Sequence, residues 1–433
     1  MKKNWITAMA ADSEGGIFDV DGYAAVGMAG PKLVPLTRKD TIAMPHGGEL
    51  MLLPGRRPIV YHISEQCFEV LHQNPFAPDE PIYPVAVFNS PGYFNTYVTA
   101  YEESASASFL PLFSYGAVGW SGNRFRTPLV LVDKEPRQDL RFMDTEDVKR
   151  GIEAIRREMP KNRLRHHLET CALTYGCPAG KNFFLGRYEA PLPTAATCNA
   201  GCLGCISLQD HPEIQCSQKR IDFTPDPEEI AEVALYHIKR VKRAVVSFGQ
   251  GCEGDPLMAA HVIEPAIRSI RKATSEGTIN MNTNGGKPDR VMKLFDAGLD
   301  SIRISLNSLR QICYDGYFRP RGYRFDDVLD SIGLALAGGK FVSINYFNCP
   351  GFTDTPQEYE AMRRFLTAYP IHMIQWRNLN FDPKRYWNIM DALTPHGMPL
   401  GMKKIFNRIR REFPEVRHGY FNPPKETFLK KYE

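Results

Sequence analysis

The 433-residue sequence has no apolar run approaching the ~18 residues a membrane-spanning helix needs. Its start, Met1-Lys2-Lys3-Asn4-Trp5-Ile6-Thr7-Ala8-Met9-Ala10, carries two lysines but no sustained apolar stretch before Asp12 and Glu14, so it lacks the core of a secretory leader. No membrane association and a cytoplasmic location are expected. Charge of one sign is scarce too. Lys and Arg number 53 against 49 Asp and Glu, a net +4, which excludes a global field that would drive binding to nucleic acid or membrane. The excess that exists is local: from Gly401 to Glu433 nine Lys or Arg face four Glu. Cysteine is sparse and unevenly placed. Ten in a chain of this size and expected location do not make a disulfide framework, but three fall within eight residues, which points to metal.

The remaining composition, 43% hydrophobic and 24% charged, is that of a globular protein long enough for two or three domains. Residues 1–140 read as β-rich and irregular. Short apolar runs such as Pro58–Ile63, Pro84–Phe88 and Leu129–Val132 lie between Pro and Gly punctuators. A helical connector follows over 141–190. Asp144 or Thr145 caps its first helix, in which Val148, Ile152, Ile155 and Met159 share a face, and a second runs from about Asn162 to Tyr175.

From about Pro191 the pattern alternates. Strands are expected at Pro193–Thr197, Arg243–Phe248, Thr278–Thr283, Leu299–Ser305, Phe341–Tyr346 and His372–Trp376. Helices are expected at about Ala259–Ser275, Pro288–Ala297, Phe325–Ala337 and Pro356–Tyr369, with another started by Asp226 and Pro227. Six strand–helix units make a parallel α/β sheet, open or barrel-like, over 191–380, whose strand-end loops gather at one face. The rest, 381–433, reads as a short helical, basic tail. In it Met402, Ile405, Phe406, Ile409 and Phe413 form a stripe for docking, which leaves a solvated basic face or, alternatively, a surface for RNA phosphates.

Cys198-Asn199-Ala200-Gly201-Cys202-Leu203-Gly204-Cys205 has the spacing C-x3-C-x2-C and follows the first strand of the repeat. Three thiolates so placed can ligate three irons of a [4Fe–4S] cube and leave the fourth open to a small molecule. Spacing alone also admits a zinc-stabilised binding module, with His211 or Cys216 as fourth ligand.

The later loops distinguish these readings. Gly249-Gln250-Gly251-Cys252-Glu253-Gly254-Asp255-Pro256 follows the second strand, Asn282-Thr283-Asn284-Gly285 the third, and Ser301-Ile302-Arg303-Ile304-Ser305-Leu306-Asn307 is the fourth. With the cysteine loop, these resemble the radical S-adenosylmethionine (radical SAM) superfamily over roughly Pro191 to Asn380. The resemblance implies a partial (β/α)6 barrel with a β-rich N-terminal accessory domain and a short helical tail. It implies a [4Fe–4S] cluster on Cys198, Cys202 and Cys205, with S-adenosylmethionine bound at the open iron and cleaved reductively, and hydrogen abstraction from a substrate. It also implies a low-potential electron donor of flavodoxin or ferredoxin type, and oxygen sensitivity.

The cofactor-side residues implied are Gly251, Glu253, Asp255, Asn284, Ser305, Asn307 and Arg319, with Glu253 or Asp255 receiving the methionine ammonium. Gly204 stands where the family usually has an aromatic residue that touches adenine, so Leu203, Ile206 or backbone is expected to serve instead. Cys252 is the candidate catalytic thiol at the barrel mouth, against a packing role. Cys349 is the other thiol placed at that face. Cys171 and Cys177 are expected to be ordinary buried thiols, and the adjacency of His166 and His167 argues against a joint metal site. A large accessory domain suits a peptide or protein substrate; an RNA-modifying enzyme is the alternative.

Overall fold

In this computed structural model residues 4–429 are described; Met1–Lys3 of the start and the last four residues of the basic tail lie outside them. The N-terminal region is the expected β-rich unit, built round a twelve-stranded antiparallel sheet. At its centre Thr7–Ala11 pairs with the long strand Ile17–Ala29, which also pairs with Lys32–Pro35 and Arg56–His62. Strands Arg56–His62, Tyr83–Phe88 and Leu129–Leu131 form on the apolar runs singled out above.

Three helices connect this unit to the second sheet: α1 (Thr145–Glu158), α2 (Arg163–Leu173) and α3 (Pro178–Leu185). The Asp144 side chain caps α1 by accepting from Glu146 N and Asp147 N, and Val148, Ile152 and Ile155 are buried. The second sheet is wholly parallel and in sequence order: β1 (Glu189–Pro191), β2 (Val245–Phe248), β3 (Thr278–Thr283), β4 (Ser301–Leu306), β5 (Phe341–Asn348), β6 (Met373–Asn378) and β7 (Arg417–Gly419). It is a curled half-barrel. Helices α4 (Pro227–Arg240), α5 (Ala260–Ala273), α6 (Pro288–Ala297), α7 (Gln311–Phe318), α8 (Phe325–Ala337), α9 (Pro356–Ala368), α10 (Pro383–Leu393) and α11 (Met402–Glu412) complete the units.

Two expectations need correction. Pro193–Thr197 is not a strand: β1 ends at Pro191, and the amides of Thr194 and Ala195 donate to the Glu253 side chain instead of a neighbouring strand. The tail is more than helical. After α11, whose Met402, Ile405, Phe406 and Ile409 are buried as expected, the chain adds β7 to the sheet. It then sends Asn422 into the barrel, where this side chain bonds Glu189, Ser247, Arg303 and Gln375 from β1, β2, β4 and β6. Asn422 therefore joins four strands through one buried polar network, in which only the Arg303 Nε lacks a partner among the atoms named.

The β-rich unit docks on the strand-end side of β5 and β6. Asn95 N donates to Asn378 Oδ1 at 2.8 Å. The Phe94 ring sits 5.5 Å from that of Trp376. Arg56 is ion-paired to Asp382 at 2.8 Å and to Glu103 at 2.7 Å. At Gly351 (φ +96°) a Cβ would stand 1.9 Å from Gly30 N, so glycine is required for this approach. One contiguous apolar core, from Val26 and Phe94 to Trp376 and Ile409, runs through both units.

Candidate active site

The loop after β1 carries Cys198, Cys202 and Cys205. It lies against the end of α7 and the segment that follows: Gly201 N donates to Phe318 O, Leu203 N to Tyr317 O and Arg321 N to Asn199 O. These backbone bonds fix the course of the loop that carries the three thiols. Burial pushes the Cys198 thiol up to about 11, and the nearby carboxylate of Asp255 adds to this. Burial likewise raises Cys202, reinforced by Cys198 and Cys205. On the other side Arg220 Nη2 stands 3.3 Å from Cys205 Sγ.

The loop after β2 separates its two carboxylates by what each already holds. Glu253 accepts four backbone N–H bonds: Gly249 and Gln250 on one oxygen, both at 2.7 Å, and Thr194 and Ala195 on the other, at 2.8 and 2.9 Å. A carboxylate has about four acceptor positions, so Glu253 is fully occupied as a clasp between two loops. Asp255 accepts from Leu257 N at 3.0 Å, Asn284 N at 2.7 Å and the Thr283 hydroxyl, three donors that leave room for another. It is buried, and its charge reaches Cys198 and Cys202.

Other positions read from the sequence fall as follows. Asn284 Nδ2 donates to Asn199 Oδ1, which ties the third loop to the cysteine loop. Gly251 is the position where a Cβ would meet Gln218 and Ile206 at 2.6 Å. Ser305, next to last in β4, is half-buried beside Asn345 in register. Asn307 is fully buried, with Nδ2 donating to Cys313 O and Tyr386 Oη, and its Oδ1 has no partner. Arg319 is exposed and adopts φ +46°; its carbonyl, not its guanidinium, meets the cysteine loop. Cys349 is buried in the seam beside Pro350. His211 and Cys216 are both exposed.

Cys252 keeps other company. Its thiol lies with Cys171 and His167 on α2, the ligand atoms all within 4.8 Å. His166 is not part of this group, in keeping with the two adjacent histidines facing different ways; His167 and Cys171 are one turn apart and share a face. Among the described residues this is the one such trio; the sulfurs of Cys198, Cys202 and Cys205 are more widely spaced. A single tetrahedral zinc would draw them to about 3.8 Å, whereas a cube holds each on a different iron.

Sequence reading missed Asn199, Arg220 and Tyr317. The Tyr317 ring explains Gly204: a Cβ there would meet Tyr317 Oη at 2.8 Å and Asn380 O at 2.9 Å. An aromatic side chain at 204 has no room, because a buried aromatic from α7 already occupies that ground. No local signal marks Tyr317, which lies more than a hundred residues away.

The donor set fits an iron–sulfur cluster with a small zwitterion beside it. Three thiols converge on one loop, Asp255 keeps acceptor capacity, and Asn199 Nδ2, Asn307 Oδ1 and Asn345 Oδ1 are buried without partners. Residues 192–366 match the model of the Radical SAM superfamily. The chain carries a radical SAM superfamily domain. Such domains are those of enzymes, and the cofactors are a [4Fe–4S] cluster and S-adenosylmethionine.

The domain is similar to GTP 3',8-cyclase of Mycobacterium marinum, 25% identical over 209 residues, which is 44% of this chain and 56% of that protein. It is also similar to GTP 3',8-cyclase 2 of Mycobacterium bovis, 26% identical over 213 residues at the same coverages. The chain thus spans little more than half the length of these relatives. Among solved structures, a radical SAM methyltransferase from Sphaerobacter thermophilus matches with TM-score 0.38 and 15% identity, covering 53% of this chain and 66% of that one. Streptococcus suis SuiB bound to precursor peptide SuiA matches with TM-score 0.39 and 13% identity, over 73% and 71%. No helix among the described residues is long and apolar enough to cross a membrane.

Proposed function

We propose that this radical SAM domain cleaves S-adenosylmethionine reductively and abstracts a hydrogen atom from a substrate admitted at the seam between the two units. The observation that carries the reading is the three-cysteine loop with the buried Asp255 beside it, one acceptor position still free. Cys198, Cys202 and Cys205 would hold the cluster. When bound, cluster and S-adenosylmethionine together supply an electron of low potential and a carbon radical able to take a hydrogen atom. Asp255 would receive the methionine ammonium in its remaining acceptor position, while Glu253 clasps the loop so that Asp255 stays aimed. Asn284 and Asn199 hold the third loop against the cysteine loop, and Ser305 and Asn307 would serve the ribose. The β-rich unit covers the strand ends and excludes water.

The substrate is presented where Asn348 and Asn378 end β5 and β6. A cavity of about 10 Å³ there, room for no more than a water, is lined by Ser114, Tyr115, Asn348 and Cys349, and Ser114 Oγ and both amide atoms of Asn348 are unpaired. These groups would meet a peptide backbone only where the seam parts to admit it. The names of the curated relatives favour a nucleotide as the second reading. An RNA substrate would instead use the exposed lysines and arginines of α11. The electron donor is a flavodoxin or ferredoxin, and the location is cytoplasmic.

Anaerobic reconstitution followed by reduction with dithionite tests the core of the reading. A brown protein that releases 5'-deoxyadenosine and methionine is expected; a colourless protein that leaves S-adenosylmethionine intact would refute it.

A further inference from the structure

Behind the S-adenosylmethionine loop lies a second constellation that the proposed chemistry does not use. His167 and Cys171 lie on one face of α2, with Nε2 and Sγ 3.5 Å apart. Cys252 arrives from the loop after β2, and the three ligand atoms lie within 4.8 Å of one another. Cys171 and Cys252 are 2% and 5% exposed. Cys177, half-buried at the start of α3, stands outside this trio, but its N–H donates to Cys171 O at 2.9 Å, so its backbone is tied to that of a ligand.

Three sulfurs and one imidazole, drawn from three separate segments, make the donor set of a closed tetrahedral site for a soft divalent ion. Zn–S bonds of about 2.3 Å and Zn–N bonds of about 2.0 Å place ligand atoms about 3.5–3.8 Å apart, which this cluster reaches by small rotations. A polynuclear cluster needs its thiolates on separate irons and hence wider spacing. Packing alone does not account for the grouping. An imidazole and two buried thiols, not bonded as a disulfide, converge where apolar side chains would satisfy burial at no polar cost, and a third thiol follows on the segment bonded to Cys171 O.

We propose that His167, Cys171, Cys177 and Cys252 bind one zinc ion, which staples the connector helices to the loop that carries Glu253 and Asp255. The zinc would be structural, since four protein ligands leave no open position. Its role is to hold the loop whose next residue, Glu253, clasps the start of the cysteine segment. Cys252 is then a ligand, and neither a hydrogen-atom donor nor a site of substrate attachment.

The test is metal analysis of the full chain purified and reconstituted anaerobically. About one zinc per chain is expected beside the iron. Cys171→Ser and Cys252→Ser should each lower zinc at least tenfold and leave iron in place. The triple variant Cys198→Ala/Cys202→Ala/Cys205→Ala should lose iron and keep zinc, so failure of the cluster assignment and failure of this proposal are distinguishable. Should the serine variants not fold, cobalt(II) added to metal-free wild type decides. Intense visible bands of tetrahedral thiolate coordination, displaced by zinc, are expected. Folded wild type that takes up neither zinc nor cobalt overturns the proposal, as does iron retained in place of zinc by the triple variant, or a Cys171–Cys252 disulfide in metal-free protein isolated anaerobically.

Discussion

Asn284 Nδ2 donates to Asn199 Oδ1 at 2.7 Å, and through this one bond the loop after β3 grips the cysteine loop between its first two ligands. The same Asn284 gives its backbone N–H to Asp255. Cysteine loop, carboxylate and third loop therefore move as one unit. Asn284→Ala would leave Asn199 buried without its partner, a loss of about 1–3 kcal/mol. The expected outcome is several-fold faster bleaching of the reconstituted cluster by an iron chelator, read as decay of its visible absorbance.

Replacing Cys198, Cys202 or Cys205 by Ala should remove the cluster, taking iron from about four per chain to near zero. Release of 5'-deoxyadenosine should stop with it. A triple variant that still cleaved S-adenosylmethionine would sink the assignment.

The two carboxylates after β2 should part company under substitution. Asp255→Asn removes the one anion with spare acceptor capacity, and should weaken S-adenosylmethionine binding by about 1.5–3 kcal/mol, seen in equilibrium binding to the reconstituted protein. Glu253→Gln turns an NH2 group toward backbone donors. Its effect should be on the fold: a fall of about 1–3 kcal/mol in unfolding free energy, measured with urea, whether or not cofactor is bound. Equal effects of both on affinity alone would mean that Glu253 is not the clasp.

The half-barrel was largely legible because its strands alternate with helices at regular spacing; β3, α6 and α8 fall where periodicity places them. What escaped was nonlocal. Pro193–Thr197 has strand-like composition, yet a side chain 59 residues away from Thr194 takes its amide. Strand β7 is three polar residues long, and Asn422 gives no local signal of its place in the barrel. The cysteine motif could be read because its ligands are adjacent in sequence. The His167–Cys171–Cys252 cluster could not, since its third member is brought in only by the parallel sheet.

Two buried histidines set an acid limit. Burial pushes His237 down to about 4, against the Tyr188 carbonyl that Nε2 meets at 3.3 Å. Burial also pushes His418 down to about 3, and its Nδ1 already accepts from Trp376 Nε1 at 2.9 Å. Both are neutral in the folded chain at pH values where the unfolded chain, with ordinary histidines near 6.5, takes up protons. Stability should therefore fall as pH drops from about 6.5 toward 4, by up to roughly 1.4 kcal/mol per pH unit for each histidine. Urea midpoints across that range should show the slope, and His237→Gln/His418→Gln should flatten it.

The seam between the units rests on a charge pair that is buried completely. The side chains of Arg56 and Asp382 are 0% and 2% exposed, and Tyr101 Oη donates to the same carboxylate at 2.9 Å. Asp382 also caps α10 through the amides of Lys384 and Arg385. Removing the carboxylate would leave the buried Arg56 guanidinium with only the partly exposed Glu103 as counter-charge, a break that approaches the about 3–5 kcal/mol of an uncompensated buried charge. Because one apolar core passes through both units, deleting residues 1–140 would strip much of the half-barrel's cover along with the substrate seam. The point substitution is the cleaner probe. Asp382→Ala should open the seam to proteases and cut substrate turnover, while iron content stays at the wild-type level and 5'-deoxyadenosine still forms uncoupled from product. Arg56→Met/Asp382→Leu, which removes both charges, should recover most of the stability, as expected if the stranded charge is the cause. Equal destabilisation of the single and double variants would instead assign the effect to the lost cap of α10.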